Sequence, residues 1–179
     1  MEKSKNINSG ITFGIIIGLL YCILLFVRWQ NAENLIRFGI LAFVNYLLVL
    51  GIMFYEANYR RKQEEGNFIS LKNLFQTLFI SVLIFELAYG IFNFVYLKYI
   101  DPEVITRMKN AVVQLMESAG NVSEKDKSDA ISRFEDMKKS TEFLPALRSY
   151  AISIAISGVF ALIIAAIMKK NKPVFQELS

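Results

Sequence analysis

The chain has 179 residues, of which 54% are hydrophobic and 13% aromatic, a higher apolar share than the roughly 45–50% of ordinary soluble domains. Histidine is missing and there is one cysteine, Cys22, so the commonest metal ligand and neutral-pH proton shuttle is excluded, as is any intrachain disulfide. The net charge of +4 does not point to nucleic acid, because the basic residues flank apolar segments instead of forming a basic patch or stripe.

The apolar residues fall in blocks. Twenty-two uncharged residues separate Lys5 from Arg28, eighteen separate Arg37 from Glu56, and twenty separate Arg148 from Lys169. Between Lys72 and Lys98 the only charge is Glu86. A hydrocarbon core of about 30 Å needs about 20 helical residues at 1.5 Å each. Four spans are therefore expected, at about 10–28, 38–55, 71–97 and 146–168, the third only if Glu86 is tolerated within it. The fold class that follows is an all-α integral membrane four-helix bundle, a single four-span domain over 1–179.

The first block follows a basic start but is longer than a signal-peptide core and has no small-x-small cleavage site, so it reads as a retained span. Within it Gly10, Gly14 and Gly18 recur every four residues, a groove in which another helix backbone can lie close. A short connection leads to the second span, where Asn45 sits near the middle and is expected to hydrogen-bond to a neighbouring helix. The connection 56–70 carries Arg60, Arg61 and Lys62, read as topology determinants together with Lys169, Lys170 and Lys172 after the last span. Gly66 suits the end of a helical extension and Ser70 the N-cap of the third span. By the positive-inside rule, both termini and this loop are cytoplasmic, and 98–148 is a long non-cytoplasmic loop.

That loop holds nine basic and nine acidic residues. Asp101 and Pro102 resemble an N-cap and first helical residue, and Val104, Met108, Ala111, Val112 and Leu115 follow at helical spacing up to Gly120. Ser123 with Asp126 resembles a capping arrangement that opens a second helix with Ile131, Phe134 and Met137 on one stripe. An amphipathic helical hairpin over about 102–140 is expected. Its helices could pack on each other, lie on the bilayer or bind a partner. Pro145 suits the first turn of the last helix, where Ser149, Ser153, Ser157, Ala161 and Ala165 form a stripe of small residues. The glycine groove and this stripe predict that the first and last spans are neighbours.

No catalytic motif is present: no histidine for a zincin or a histidine-based triad, no GxSxG, no Walker loop, and no GxGxxG after a strand. Adjacent acids, Glu64 with Glu65 and Glu135 with Asp136, point apart on a helix and read as solvated faces. The chain therefore reads as non-enzymatic, with no cofactor, no metal site and no nucleic-acid partner.

The polar residues inside the spans are what remain. Counted from the span midpoints at 1.5 Å per residue, Asn45, Glu86 and Ser157 share a depth, with Tyr21 slightly further out. These four are the candidate polar layer. No lysine or arginine is available there, so desolvation favours a neutral Glu86 that donates a hydrogen bond. Two functions are open. One is a structural or interaction protein, whose partners are the bilayer and a second copy or another membrane protein, with Glu86 fixing helix register. The other is a small proton-linked carrier or transporter subunit, an oligomer, that uses Glu86.

GITFGIIIG in the first span, GNFISLKNLF entering the third and YIDPE opening the outer loop resemble a bacterial membrane family known only as domain of unknown function forty-one ninety-nine. Leu71 departs from it, standing where the family has an aromatic residue. The resemblance implies four spans and a location in the bacterial inner membrane, and it brings no activity or functional residue.

Overall fold

A computed structural model describes residues 2–120, 122–139 and 142–171; Lys172 lies outside them. Among the described residues every long element is helical: α1 (Glu2–Gln30), α2 (Leu35–Lys62), α3 (Leu71–Val95), α4 (Val104–Ser118), α5 (Glu124–Lys139) and α6 (Phe143–Met168). Helices α1, α2, α3 and α6 are each long and apolar enough to cross a membrane. Ile15, Leu19, Phe43, Leu47, Leu87, Ile91, Ile156 and Ile163 are exposed on them. An exposed belt of this kind is unfavourable in water and favourable against lipid tails, as a four-helix membrane bundle requires.

Helices α1, α2 and α6 extend past the expected spans. α2 runs on to Lys62, so 56–62, expected as connection, is its last two turns. α3 passes at Tyr96–Ile100 into a wider helical turn with i→i+5 bonding, closed by Asp101 N–H donating to the Tyr96 carbonyl at 2.8 Å. Ser70 caps α3 as expected, its Oγ accepting from Asn73 N–H at 3.3 Å. Gly66 does not end a helix: α2 stops at Gln63, and Gly66 lies in the following turn at φ 65°, where a Cβ would meet the Phe68 ring.

Helix α3 is the hub, packing most extensively on α1 and then on α6, while α2 fills the remaining corner against α1, α3 and α6. This corrects the expectation that α1 and α6 are neighbours: α3 stands between them. The physical reason is that a groove needs a ridge. Two stripes of small residues have nothing to insert into each other, whereas α3 offers Ile80 and Ile84 to the glycines and Glu86 to the serines.

The ends of the bundle differ. At one end Asn6 Nδ2 donates to Gln76, and Ile69 forms a two-bond antiparallel bridge with Lys170. The start of α1, the α2–α3 loop and the end of α6 therefore lie together, and Lys170 Nζ is 5.0 Å from the Phe68 ring centre. At the other end the hairpin α4–α5 docks on a cluster of Leu25, Trp29, Ala32, Phe38, Tyr96 and Leu97 through Val104, Ile105, Met108 and Phe134. Of the three placements open to the hairpin, its helices pack on each other and cap this end. Ser123 caps α5 as expected, with its Oγ accepting from Asp126 N–H at 3.1 Å. The helix α4 begins at Val104 and not at Pro102; the Asp101 carboxylate meets the backbone N–H groups of Glu103 and Val104 at this helix start, and it also turns to Arg107. That guanidinium, first by hydrogen bonding and then by its charge, holds the Asp101 carboxyl below the usual carboxylate range.

Candidate functional site

Glu86 is buried on the face of α3 that meets α6. Ser153 and Ser157 lie one turn apart on α6, so both hydroxyls reach the same carboxyl group. The Ser153 Oγ is 2.6 Å from Glu86 Oε2 and the Ser157 Oγ is 2.5 Å from Oε1. A hydroxyl can donate or accept, so the pair satisfies the carboxyl in either protonation state. Beside the two serines, which help to line it, is a cavity of about 100 Å³ whose walls include Glu86, Tyr21, Tyr46, Met53, Phe85 and Ile156. Tyr46 and Ile156 are largely exposed, so the cavity opens sideways between α2 and α6.

The small-residue stripe of α6 grades along its length. Ala165 and Ala161 are fully buried, Ser157 and Ser153 are half-buried at Glu86, and Ser149 is exposed. Helix α6 thus leans away from α3 toward the hairpin end. The cleft this leaves holds about 260 Å³ between Tyr89, Asn93, Ser149, Tyr150 and Ser153. Ser153, one of the two serines bonded to Glu86, lines both spaces, while Glu86 itself lines the lateral cavity.

A second polar cluster lies at the opposite end of the bundle. Glu56 and Arg60, one turn apart on α2, are both fully buried. Glu56 Oε1 is 2.6 Å from Ser81 Oγ of α3, which is also 2.9 Å from the Gly10 carbonyl oxygen of α1. Arg60 donates through Nε to Asn6 Oδ1 at 2.9 Å and forms an ion pair with Glu64. A buried charge of this kind persists only when paired and hydrogen-bonded, and Arg60 is both.

The chain belongs to the family described as Protein of unknown function (DUF4199), whose model matches residues 8–170. No curated protein and no solved structure matches it.

Within this DUF4199 member the four residues of the expected polar layer are only partly brought together. Glu86 and Ser157 are in direct contact, and Tyr21 lines the same cavity, stacked on Tyr89 at 4.9 Å between ring centres. Asn45 does not join them. It is buried, but it does not line the cavity, and its Oδ1 has no hydrogen-bond partner among the described residues. Shared depth does not fix direction: each residue turns the side chain by about 100° on a helix, and it is the next residue, Tyr46, that faces Glu86.

The glycines behave as a packing face, though against α3. A Cβ on Gly10 would lie 2.7 Å from the Thr77 carbonyl oxygen, and one on Gly14 would lie 2.8 Å from Ile84 Cβ. Arg61 and Lys62 end α2 beside Arg60; Lys169 and Lys170 follow α6 on the same side of the bundle. Glu64, read from sequence as a solvated acid, is the partner of Arg60.

Glu56 is what sequence reasoning passed over, because it stands at the edge of an apolar block and reads as the first residue of a loop. A signal was available. Glu56 follows Asn45, Val49 and Met53 at helical spacing, and Arg60 and Glu64 continue the same face.

Proposed function

We propose that this protein is a non-enzymatic component of the bacterial inner membrane that works through assembly and interaction, with its termini and the α2–α3 loop cytoplasmic and the α4–α5 hairpin periplasmic. Glu86 is then a clasp that fixes the register of α6 on α3. The observation that carries this reading is that both oxygens of Glu86 are engaged by serines of one neighbouring helix. The orientation rests on Arg60, Arg61, Lys62, Lys169 and Lys170, which the fold gathers at one end. The hairpin supplies an interaction surface: a groove of about 470 Å³ between α4 and α5, lined by Met108, Val112, Met116, Phe134 and Met137. Methionine-lined surfaces adapt to differently shaped apolar partners.

A second reading, a proton-linked carrier that uses Glu86, is favoured by one specific feature: the carboxyl lines the lateral cavity, and its partner Ser153 lines the neighbouring cleft as well. The substitution E86Q separates the two, because glutamine keeps the shape and hydrogen bonding but cannot exchange a proton. Under the clasp reading, E86Q protein folds, and a cysteine pair across α3 and α6 crosslinks as in the parent. Loss of pH-gradient-driven solute movement in proteoliposomes, with that crosslink intact, would instead establish the carrier.

A further inference from the structure

Ser81 has one hydroxyl hydrogen and two acceptors in reach, the Gly10 carbonyl oxygen at 2.9 Å and Glu56 Oε1 at 2.6 Å. A carbonyl can only accept, so the bond to α1 uses the Ser81 hydrogen. The shorter contact, to α2, then needs a hydrogen from the acid. We infer that Glu56 is a proton-binding site: it holds a proton on Oε1 and donates it to Ser81 Oγ, which donates in turn to the Gly10 carbonyl. One proton thereby completes a hydrogen-bonded chain across α2, α3 and α1.

The surroundings of Glu56 argue the same way. Its side chain is fully buried, and Oε2 has no hydrogen-bond partner among the described residues. An ionised carboxylate wants donors at both oxygens, whereas the carbonyl-type oxygen of a neutral acid loses least by having none. No ion pair reaches Glu56 among the described residues. Arg60, on its own helix, is matched by Glu64 and held by Asn6, so an ionised Glu56 would add a net negative charge. From α1 the buried polar side chains at this end are Asn6 and Ser9, and from α3 they are Thr77 and Ser81, all neutral. From α6 the same core receives Ala161, Ile164 and Ala165.

The proton is placed at a close approach of two helices. Gly10 lies against the Thr77 backbone, and Ser81 bonds across at that point. If Oε1 released its proton to water at this end, the Ser81 hydrogen would turn to the new carboxylate. The Gly10 carbonyl would then keep only its intrahelical bond. Proton occupancy at Glu56 is thus a lock on the α1–α3 contact. It is separate from Glu86, which lies five residues further along α3, about 7.5 Å of helical rise from Ser81.

Infrared spectroscopy of the purified full chain in lipid nanodiscs tests this, using E86Q as the background so that Glu86 contributes nothing. At neutral pH the E86Q protein is expected to show the carbonyl stretch of a protonated, buried carboxylic acid, shifted in heavy water, and the E56Q/E86Q protein is expected to lack it. Absence of the band in E86Q, or its persistence in the double variant, overturns the proposal. Should the double variant fail to fold, S81A in the E86Q background replaces it. Removing the hydrogen-bond acceptor is expected to raise the stretching frequency, and an unmoved band overturns the proposal.

Discussion

Helix α3 meets α1 and α6 through small residues on both sides, yet the two interfaces work by different physics. Against α1 the glycines remove side chains altogether, the backbones come together, and Ile80 and Ile84 fill the groove. Against α6 the serines keep the helices further apart, and Glu86 fills the gap with hydrogen bonds. The first interface is closed. The second leaves a cavity and a cleft. In a membrane, where lipid tails remove most of the hydrophobic drive for helix association, close packing and interhelical hydrogen bonds are alternative means of holding helices together. This protein relies on close packing at one face of a single helix, where Ser81 adds one bond to the Gly10 carbonyl, and on hydrogen bonds to a carboxyl group at the other, and the open spaces lie on the face toward α6.

The closed interface is the one most sensitive to substitution. Gly14→Leu puts four carbons where even a Cβ meets Ile84 Cβ at 2.8 Å and the Ser81 backbone at 3.1 Å. The expected loss is at the upper end of, or beyond, the ~1–3 kcal/mol of ordinary overpacking. It is read as failure of the four-span bundle to resist denaturant in mild detergent; parent-like stability would mean that α1 and α3 are not closely packed. Next is Glu86→Ala, which removes both bonds to α6 and enlarges a cavity already present, with an expected cost of about 1–3 kcal/mol. Glu86→Gln in the same assay is expected to cost under about 1 kcal/mol. An equal loss for both would show that the ionisable group itself, and not the clasp geometry, matters.

The serines then give a graded series. Ser153→Ala and Ser157→Ala are each expected to cost about 0.6 kcal/mol, the average for a hydrogen bond between membrane helices. Ser149→Ala, at the exposed end of the stripe, is expected to cost nothing measurable. A reversed order would contradict the tilt of α6 away from α3.

The smallest effect belongs to the hairpin. Arg107 pairs with Asp101 and, at 2.8 Å, with Glu33. Both contacts are exposed enough that Arg107→Ala should cost only about 0.2–1 kcal/mol. Because Arg107 holds the Asp101 carboxyl below its usual range, that contribution is present at neutral pH. It fades as pH falls through the lowered value of the folded state. The parent hairpin, followed by hydrogen exchange at α4, should therefore loosen in acid, and the Arg107→Ala protein should show less of that pH dependence.

Much of this was legible locally. The four spans are set by runs of uncharged residues long enough for a bilayer. Ser70, Ser123 and Pro145 act where their side chains or missing N–H dictate, within one helical turn. Gly10, Gly14 and Gly18 announced a packing face because absent side chains mean close approach whatever the partner. What failed was whatever depended on the choice of partner or on the direction of a side chain. Asn45 shares the depth of Glu86 but not its azimuth, and Glu56 reads as a loop residue until α2 is seen to continue past it.

The sequence by itself determined that the chain is helical, how many times it can cross a membrane, and which faces are small or polar, because bilayer thickness and helical period act along the chain. Only the tertiary structure decided that α3, and not a direct contact between α1 and α6, receives both small-residue stripes. It alone paired Glu86 with Ser153 and Ser157, and Glu56 with Ser81 and the Gly10 carbonyl. These are meetings of residues some 25 to 71 positions apart, and they depend on how four helices rotate and lean against one another, which no local pattern specifies.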